Sequence, residues 1–334
     1  MGTSVIAGLC MPLRAQTNFA FESRAILDEG LHWVTKSGAE ALCKRIHNAG
    51  FNVFVPCVWH GRGVSWPSKF AHWDDRLREL ITKSPHYDPL GNLLKVASKY
   101  DIEVHPWFTV GHVEPEFAQI IRGTSNAKPG DFYDSEFRTF ISSVILEVVD
   151  RYPIHGINLD YVRFDSPRAG YELEREQLIA AFIRDVADKS RMINPSIVVS
   201  VDAAPWSPTI KQFGQDSVKW AEEGIVDVIY SMQYQPHPDF AVAEKARASM
   251  KRPEAFVVMV GNYDYNEVLK KVVPRDPDLL INLIERSRQV GPGNGIAVYL
   301  YGQMSDAQVL LLRDTVFSVP SKTRWVRSKG IGLS

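Results

Sequence analysis

Eight short apolar runs recur along the chain with helix-like stretches between them, and this alternation limits the fold more than any other feature. The runs are VIAGLCMP (5–12), FNVFVPCVW (51–59), IEVHPWFTV (102–110), GINLDYVRF (156–164), SIVVSVDAA (196–204), VDVIYSMQY (226–234), AFVVMVGNY (255–263) and GIAVYLYGQ (295–303). Most are continuously apolar rather than alternating, the pattern of parallel strands covered on both faces. The intervening stretches carry helix-end signals. SGAEALCKRIHNAG closes on a glycine cap, DPLGNLLKVASKYD starts beside a proline, and Ser135 is the predicted N-cap of SEFRTFISSVILEVVDRY. Eight such units predict an α/β fold, a (β/α)8 TIM barrel in which residues 1–334 form one domain. A doubly wound open sheet is the rival, but no GxGxxG follows the first run and eight evenly spaced units favour closure.

Composition removes several partners. A formal net charge of -1 sets up no long-range field toward nucleic acid or an anionic membrane. No apolar stretch approaches the roughly 20 residues that span a bilayer. Cys10, Cys43 and Cys57 make an odd count without a CxxC, which predicts neither a disulfide framework nor a zinc site and fits a reducing compartment. The apolar segment near the N-terminus has no basic region before it, so it reads as a first strand over Val5 to Pro12 rather than a signal peptide, and the expected location is cytoplasmic.

In a barrel of this kind the site lies where the strands end, on the side of the connections that lead into the helices. The predicted site residues there are Trp59 and His60 after the second run, His105 and Trp107 on the third, Asp160 and Arg163 on the fourth, and Asp202 and Trp206 on the fifth. The sixth run adds Tyr230, Gln233 and Tyr234, the seventh Asn262, and the eighth Tyr299. In HGINLDYVRF, period-two alternation puts Asn158 and Asp160 on one face and Ile157, Leu159 and Tyr161 on the other. The apolar set belongs toward the helices, which leaves Asp160 in the barrel mouth, where function offsets the cost of a buried carboxylate.

Four blocks, FNVFVPCVWHGRGVSWPS, DPLGNLLKVASKYDIEVHPWF, HGINLDYVRF and WAEEGIVDVIYSMQY, together resemble the glycosyl-hydrolase-like family 10 barrels, within the wider family 18-like set. They occur in the family's order, and the resemblance covers roughly residues 35–304. It implies a TIM barrel acting on glycosidic bonds, with Asp160 as the catalytic acid and Arg163 beside it as a shaping group. It departs at the end of the second run, where Cys57 and Trp59 stand in place of polar residues. Family members are commonly exported, which runs against the expectation drawn from the N-terminus.

Glycosidic cleavage needs a proton donor at the leaving oxygen, plus a nucleophile, a base for water or a neighbouring acetamido group. Asp160 is the expected donor, with Asp202 or Asp165 as candidates for the second role. Two carboxylates on adjacent strands would push one pKa upward, as an acid working near neutrality requires. Trp59, His60, His105, Trp107, Trp206, Tyr230, Gln233, Tyr234, Asn262 and Tyr299 are the expected sugar contacts, although aromatics also fill barrel cores and histidines in packed mouths are often simply hydrogen-bonded. The connections at 13–34 and 60–87 fall on the substrate side, and Trp66, Trp73 and Tyr87 either wall a groove or pack the second one down. GPGNG (291–295) precedes the last run and is read as a turn on the opposite face. No lysine in any run supports Schiff-base chemistry, and the scattered histidines predict no metal and no cofactor. The expected function is hydrolysis of an oligo- or polysaccharide; a non-catalytic carbohydrate-binding barrel is the alternative, and a phosphosugar lyase or isomerase a distant third.

Overall fold

A computed structural model describes residues 20–114, 130–164, 172–205, 212–291 and 295–325 of the chain. Its strands are β1 (Arg24–Asp28), β2 (Val53–Trp59), β3 (Glu103–Val104), β4 (Trp107–Thr109), β5 (Gly156–Asp160), β6 (Val198–Ala203), β7 (Val228–Gln233), β8 (Phe256–Gly261), β9 (Tyr263–Asn266), β10 (Lys271–Pro274) and β11 (Ile296–Tyr299). β3 and β4 are two pieces of one stave, and β9 with β10 forms a separate antiparallel hairpin. The remaining strands pair in parallel in the order β1, β11, β8, β7, β6, β5, β4, β2, and β2 returns to β1. The ring therefore closes on eight staves, as predicted.

The stave in first position is not Val5 to Pro12, which lies outside the described residues. It is Arg24–Asp28, inside the stretch 13–34 expected to be a connection. Its five residues are all buried, and its backbone pairs with Val53–Pro56 on one side and Ile296–Tyr299 on the other. A ring needs both ladders there, because an open edge would leave unpaired backbone groups.

Around the ring lie α1 (Lys36–Ala49), α2 (Arg78–Lys83), α3 (Pro89–Ala97), α4 (Ser135–Arg151), α5 (Glu172–Ile193), α6 (Ser217–Glu222), α7 (Phe240–Ala248), α8 (Pro277–Val290) and α9 (Asp306–Asp314). Local chemistry sets their ends. Thr35, Asp88, Asp276 and Ser305 each accept a first-turn backbone N–H, Pro89 and Pro277 occupy first-turn positions whose N–H would be unsatisfied, and α1 stops at Gly50 with φ 91°. The cap of α4 is Asp134 rather than Ser135: its carboxylate accepts the Glu136 N–H, and Ser135 is already in the helix.

Strand alternation creates two cores. Outward residues such as Ile26, Phe54, Phe108, Ile157, Leu159, Val199 and Ile229 pack under the helices, while Leu27, Val55, Cys57, Trp107, Tyr230 and Met259 fill the ring itself. One irregularity breaks the parity. Cys57 pairs with Trp107 but Trp59 pairs with Phe108, so β2 carries an extra residue and turns Trp59 outward. In the connection 60–87, Trp66 is fully buried with its indole N–H on Glu147 at 3.0 Å, so that ring packs the loop down.

The lower end of the ring is stoppered by the C-terminal segment. Trp325 donates to Glu103 at 2.8 Å, Thr323 donates to the same carboxylate at 2.5 Å, and His105 lies 3.2 Å from it. Burial alone would raise the Glu103 carboxyl, but these partners overcome it and hold it at about 2. A carboxyl depressed in the fold stabilises above its unfolded pKa and loses that contribution as pH falls toward the folded value. Glu103→Gln should therefore cost about 1–3 kcal/mol at neutral pH. It should also flatten the decline in melting temperature between about pH 4.5 and pH 2, measured by thermal unfolding across that range.

Candidate active site

Asp160 and Asp202 are the last inward residues of neighbouring staves. The β5–β6 register pairs Asn158 with Ser200 and Leu159 with Val201, so the next step sets the two aspartates side by side. Both are buried, 6% and 2% exposed. They stand on the wall of a cavity of about 120 Å³ in the barrel mouth, which Trp107, Tyr234 and Tyr299 line with aromatic surface. The three rings pack on one another, Tyr299 at 5.1 Å from Tyr234 and 6.3 Å from Trp107.

Electrostatics divides the pair. Burial pushes Asp160 up to about 6, opposed by the Arg163 guanidinium 3.9 Å away and by the Tyr161 backbone N–H at 2.6 Å. Burial also raises Asp202, well above the usual range, and the adjacent Asp160 charge adds to it; the amide of Asn158, donating at 3.0 Å, offsets only part. Both carboxyls therefore hold a proton more readily than a free aspartate does. Tyr161, which follows it, has φ 52°, an uncommon conformation for an aromatic residue, and Arg163 stacks over its ring at 4.3 Å. The Trp107 indole N–H is directed at Asp160 and opposes its upward shift, and the Tyr230 hydroxyl has no partner among the described residues.

The expected site residues divide by where they point. Asp160, Asp202, Arg163, His60, Trp107, Tyr234 and Tyr299 line the cavity. Tyr230 lies beneath it, fully buried inside the ring. Trp59 belongs to the outer core, packed on Phe140, because of the extra residue in β2. His105 is two residues too low on its stave and belongs to the stopper, against Trp325 and so close to Gly156 that a Cβ there would lie 2.5 Å from the imidazole. Gln233 and Asn262 have outward parity: Gln233 accepts the Asp239 N–H at 3.0 Å, and Asn262 accepts the Leu300 N–H at 2.7 Å. Both organise connections rather than touch the cavity. Trp206 and Asp165 lie outside the described residues.

Sequence reading missed Glu29, which follows β1 and lines the cavity. Its carboxylate faces His60, Nε2 to Oε2 3.7 Å, and Tyr299; His60 holds it below the usual range against the opposing effect of burial, with Tyr299 adding to the lowering. Beside it, donor atoms of His60, His112 and Glu114 come within 4.8 Å of one another, a spacing compatible with a metal ion. The Arg62 guanidinium already stands there, 3.3 Å from His60 Nδ1 and 3.4 Å from Glu114, so a cation is supplied by the chain.

Because Asp160 is raised in the fold, stability should fall as pH climbs from its unfolded value, near 4, to about 6, and stay lowered above that. Asp160→Asn removes this penalty. The variant is expected to match wild type at pH 3.5 and to exceed it by about 1–3 kcal/mol at pH 7, measured by denaturant unfolding at both pH values.

Residues 27–136 match the family model described as Glycosyl hydrolase-like 10. Glycosyl hydrolase DigH of Escherichia coli K12 is 23% identical over 65% of this chain, and the chain spans 62% of the length of that relative. Among solved structures, alpha-L-fucosidase isoenzyme 2 from Paenibacillus thiaminolyticus superposes with a TM-score of 0.61 at 15% identity, covering 90% of this chain and 49% of that one. The endo-beta-1,4-mannanase from Thermotoga petrophila gives 0.60 at 9% identity, covering 92% and 81%. At these identities the likeness to the solved structures is one of fold. The family match contains the first two of the four sequence blocks, so the resemblance stands there, and the fold is a closed (β/α)8 barrel shared with glycosidases.

Proposed function

We propose that the protein is a glycoside hydrolase acting on an oligo- or polysaccharide, with Asp160 as general acid. The observation that carries this reading is the pair of buried aspartates set into an aromatic-walled cavity at the strand ends. A carboxyl near 6 is protonated often enough at mildly acidic to neutral pH to give its proton to a departing glycosidic oxygen. Asp202 stands beside it, raised by burial and by the Asp160 charge, so the pair resists ionising together. Arg163, 3.9 Å from the carboxyl, stabilises the ionised form left after transfer. Tyr234, Tyr299 and Trp107 offer ring faces to the apolar sides of a sugar.

A binding-only barrel would use the aromatic walls equally well, but it gains nothing from two desolvated carboxyls that cost stability. Purified protein incubated with a panel of oligo- and polysaccharides, with products read by mass, should release shorter sugars. Asp160→Asn should lower that turnover by at least about 10²-fold while remaining folded. Sugar binding without any release, unchanged in Asp160→Asn, would overturn the hydrolase reading in favour of the binding one.

A further inference from the structure

Asp160 and Asp202 stand on adjacent staves, so they meet a substrate from the same side, whereas glycosidic cleavage by two carboxyl groups needs them on either side of the bond. Glu29 occupies the other side. β1, which it follows, is separated from β5 by β2 and the β3/β4 stave, so the Glu29 and Asp160 carboxyl groups flank the cavity they both line. We propose that Glu29 is the second catalytic carboxylate, acting as base toward the attacking water. This rests on the hydrolase reading and completes it.

The surroundings of Glu29 suit that role. Its side chain is 42% exposed, so water reaches it. Arg62 has only donors to offer, so His60 Nδ1 must accept from it, which leaves the proton on Nε2, the atom facing Glu29 at 3.7 Å. The imidazole N–H and the Tyr299 hydroxyl keep the carboxylate ionised while Asp160 is held near 6, and such a divergence between two carboxyls in one cavity is how acid and base are assigned. In the step that follows, the bond from the anomeric carbon to the leaving oxygen breaks and its electron pair stays on that oxygen, which takes the Asp160 proton. The water oxygen bonds the anomeric carbon and its proton passes to Glu29. Both carboxyls then return to their resting states by exchange with solvent, and the anomeric configuration is inverted.

The test compares Glu29→Gln, Glu29→Asp and Asp160→Asn on the glycan cleaved by the wild type and on the glycosyl fluoride of the same sugar, with melting curves for each variant. Fluoride departs without a proton, so Asp160→Asn should recover most of its loss on that substrate. Glu29→Gln should stay at least about 10²-fold down on both, with Glu29→Asp in between. The acid limb of the kcat/KM profile, below about pH 4.5, should vanish in Glu29→Gln, an effect that a merely structural role would not produce. A wild type inert on every glycan and fluoride removes the hydrolase reading and this inference with it. An active wild type whose Glu29→Gln variant stays within about threefold, recovers on the fluoride, or belongs to an enzyme that retains the anomeric configuration overturns the inference alone.

Discussion

Closure of the parallel ring is the constraint on which everything else depends. Each stave satisfies its backbone only through two neighbours, and the short β1 provides the last two ladders, to β2 and to β11. Once the ring is closed, period-two alternation sorts every side chain into helix-facing or lumen-facing, and depth along the stave sorts the lumen again. Glu103 and His105 fall at the bottom under Trp325, Tyr230 in the middle, and Asp160, Asp202 and Glu29 at the top. The chemistry of a residue in this barrel follows from two coordinates, parity and height.

The two ends treat buried charge in opposite ways. Below, Glu103 receives donors from three side chains and is held ionised near 2, so its charge contributes to stability. Above, Asp160 and Asp202 have too few donors to offset burial and repel each other when ionised, so both carboxyls are raised at a cost to the fold. A stabilised carboxylate is a strut; a protonated one beside an open cavity is available for proton transfer.

Seven of the eight staves were legible because a stave buried on both faces must be apolar throughout, and that leaves a continuous run in the sequence. β1 was missed because five residues, RAILD, stand between charged neighbours while the more apolar Val5 to Pro12 run lies close by. Losing β1 also hid Glu29, since a residue just past an unrecognised strand has no assigned height or face. The inward direction of Asp160 and Asp202 was legible from parity alone. Gln233 and Asn262 were open to the same argument, as Gln233 shares the face of Ile229 and Asn262 follows the inward Gly261. His105 needed height as well as parity, which apolarity does not encode. Trp59 was beyond reach, because its direction depends on a local irregularity in pairing.

That irregularity has a consequence of its own. The extra residue between Cys57 and His60 acts as a parity switch: with it, an imidazole meets the cavity and an indole meets the helices; without it, the two would exchange. Residue count, and not side-chain identity, carries the instruction. Two barrels could hold the same amino acids at the end of this stave and differ in what their substrates touch, because one chain is a single residue longer.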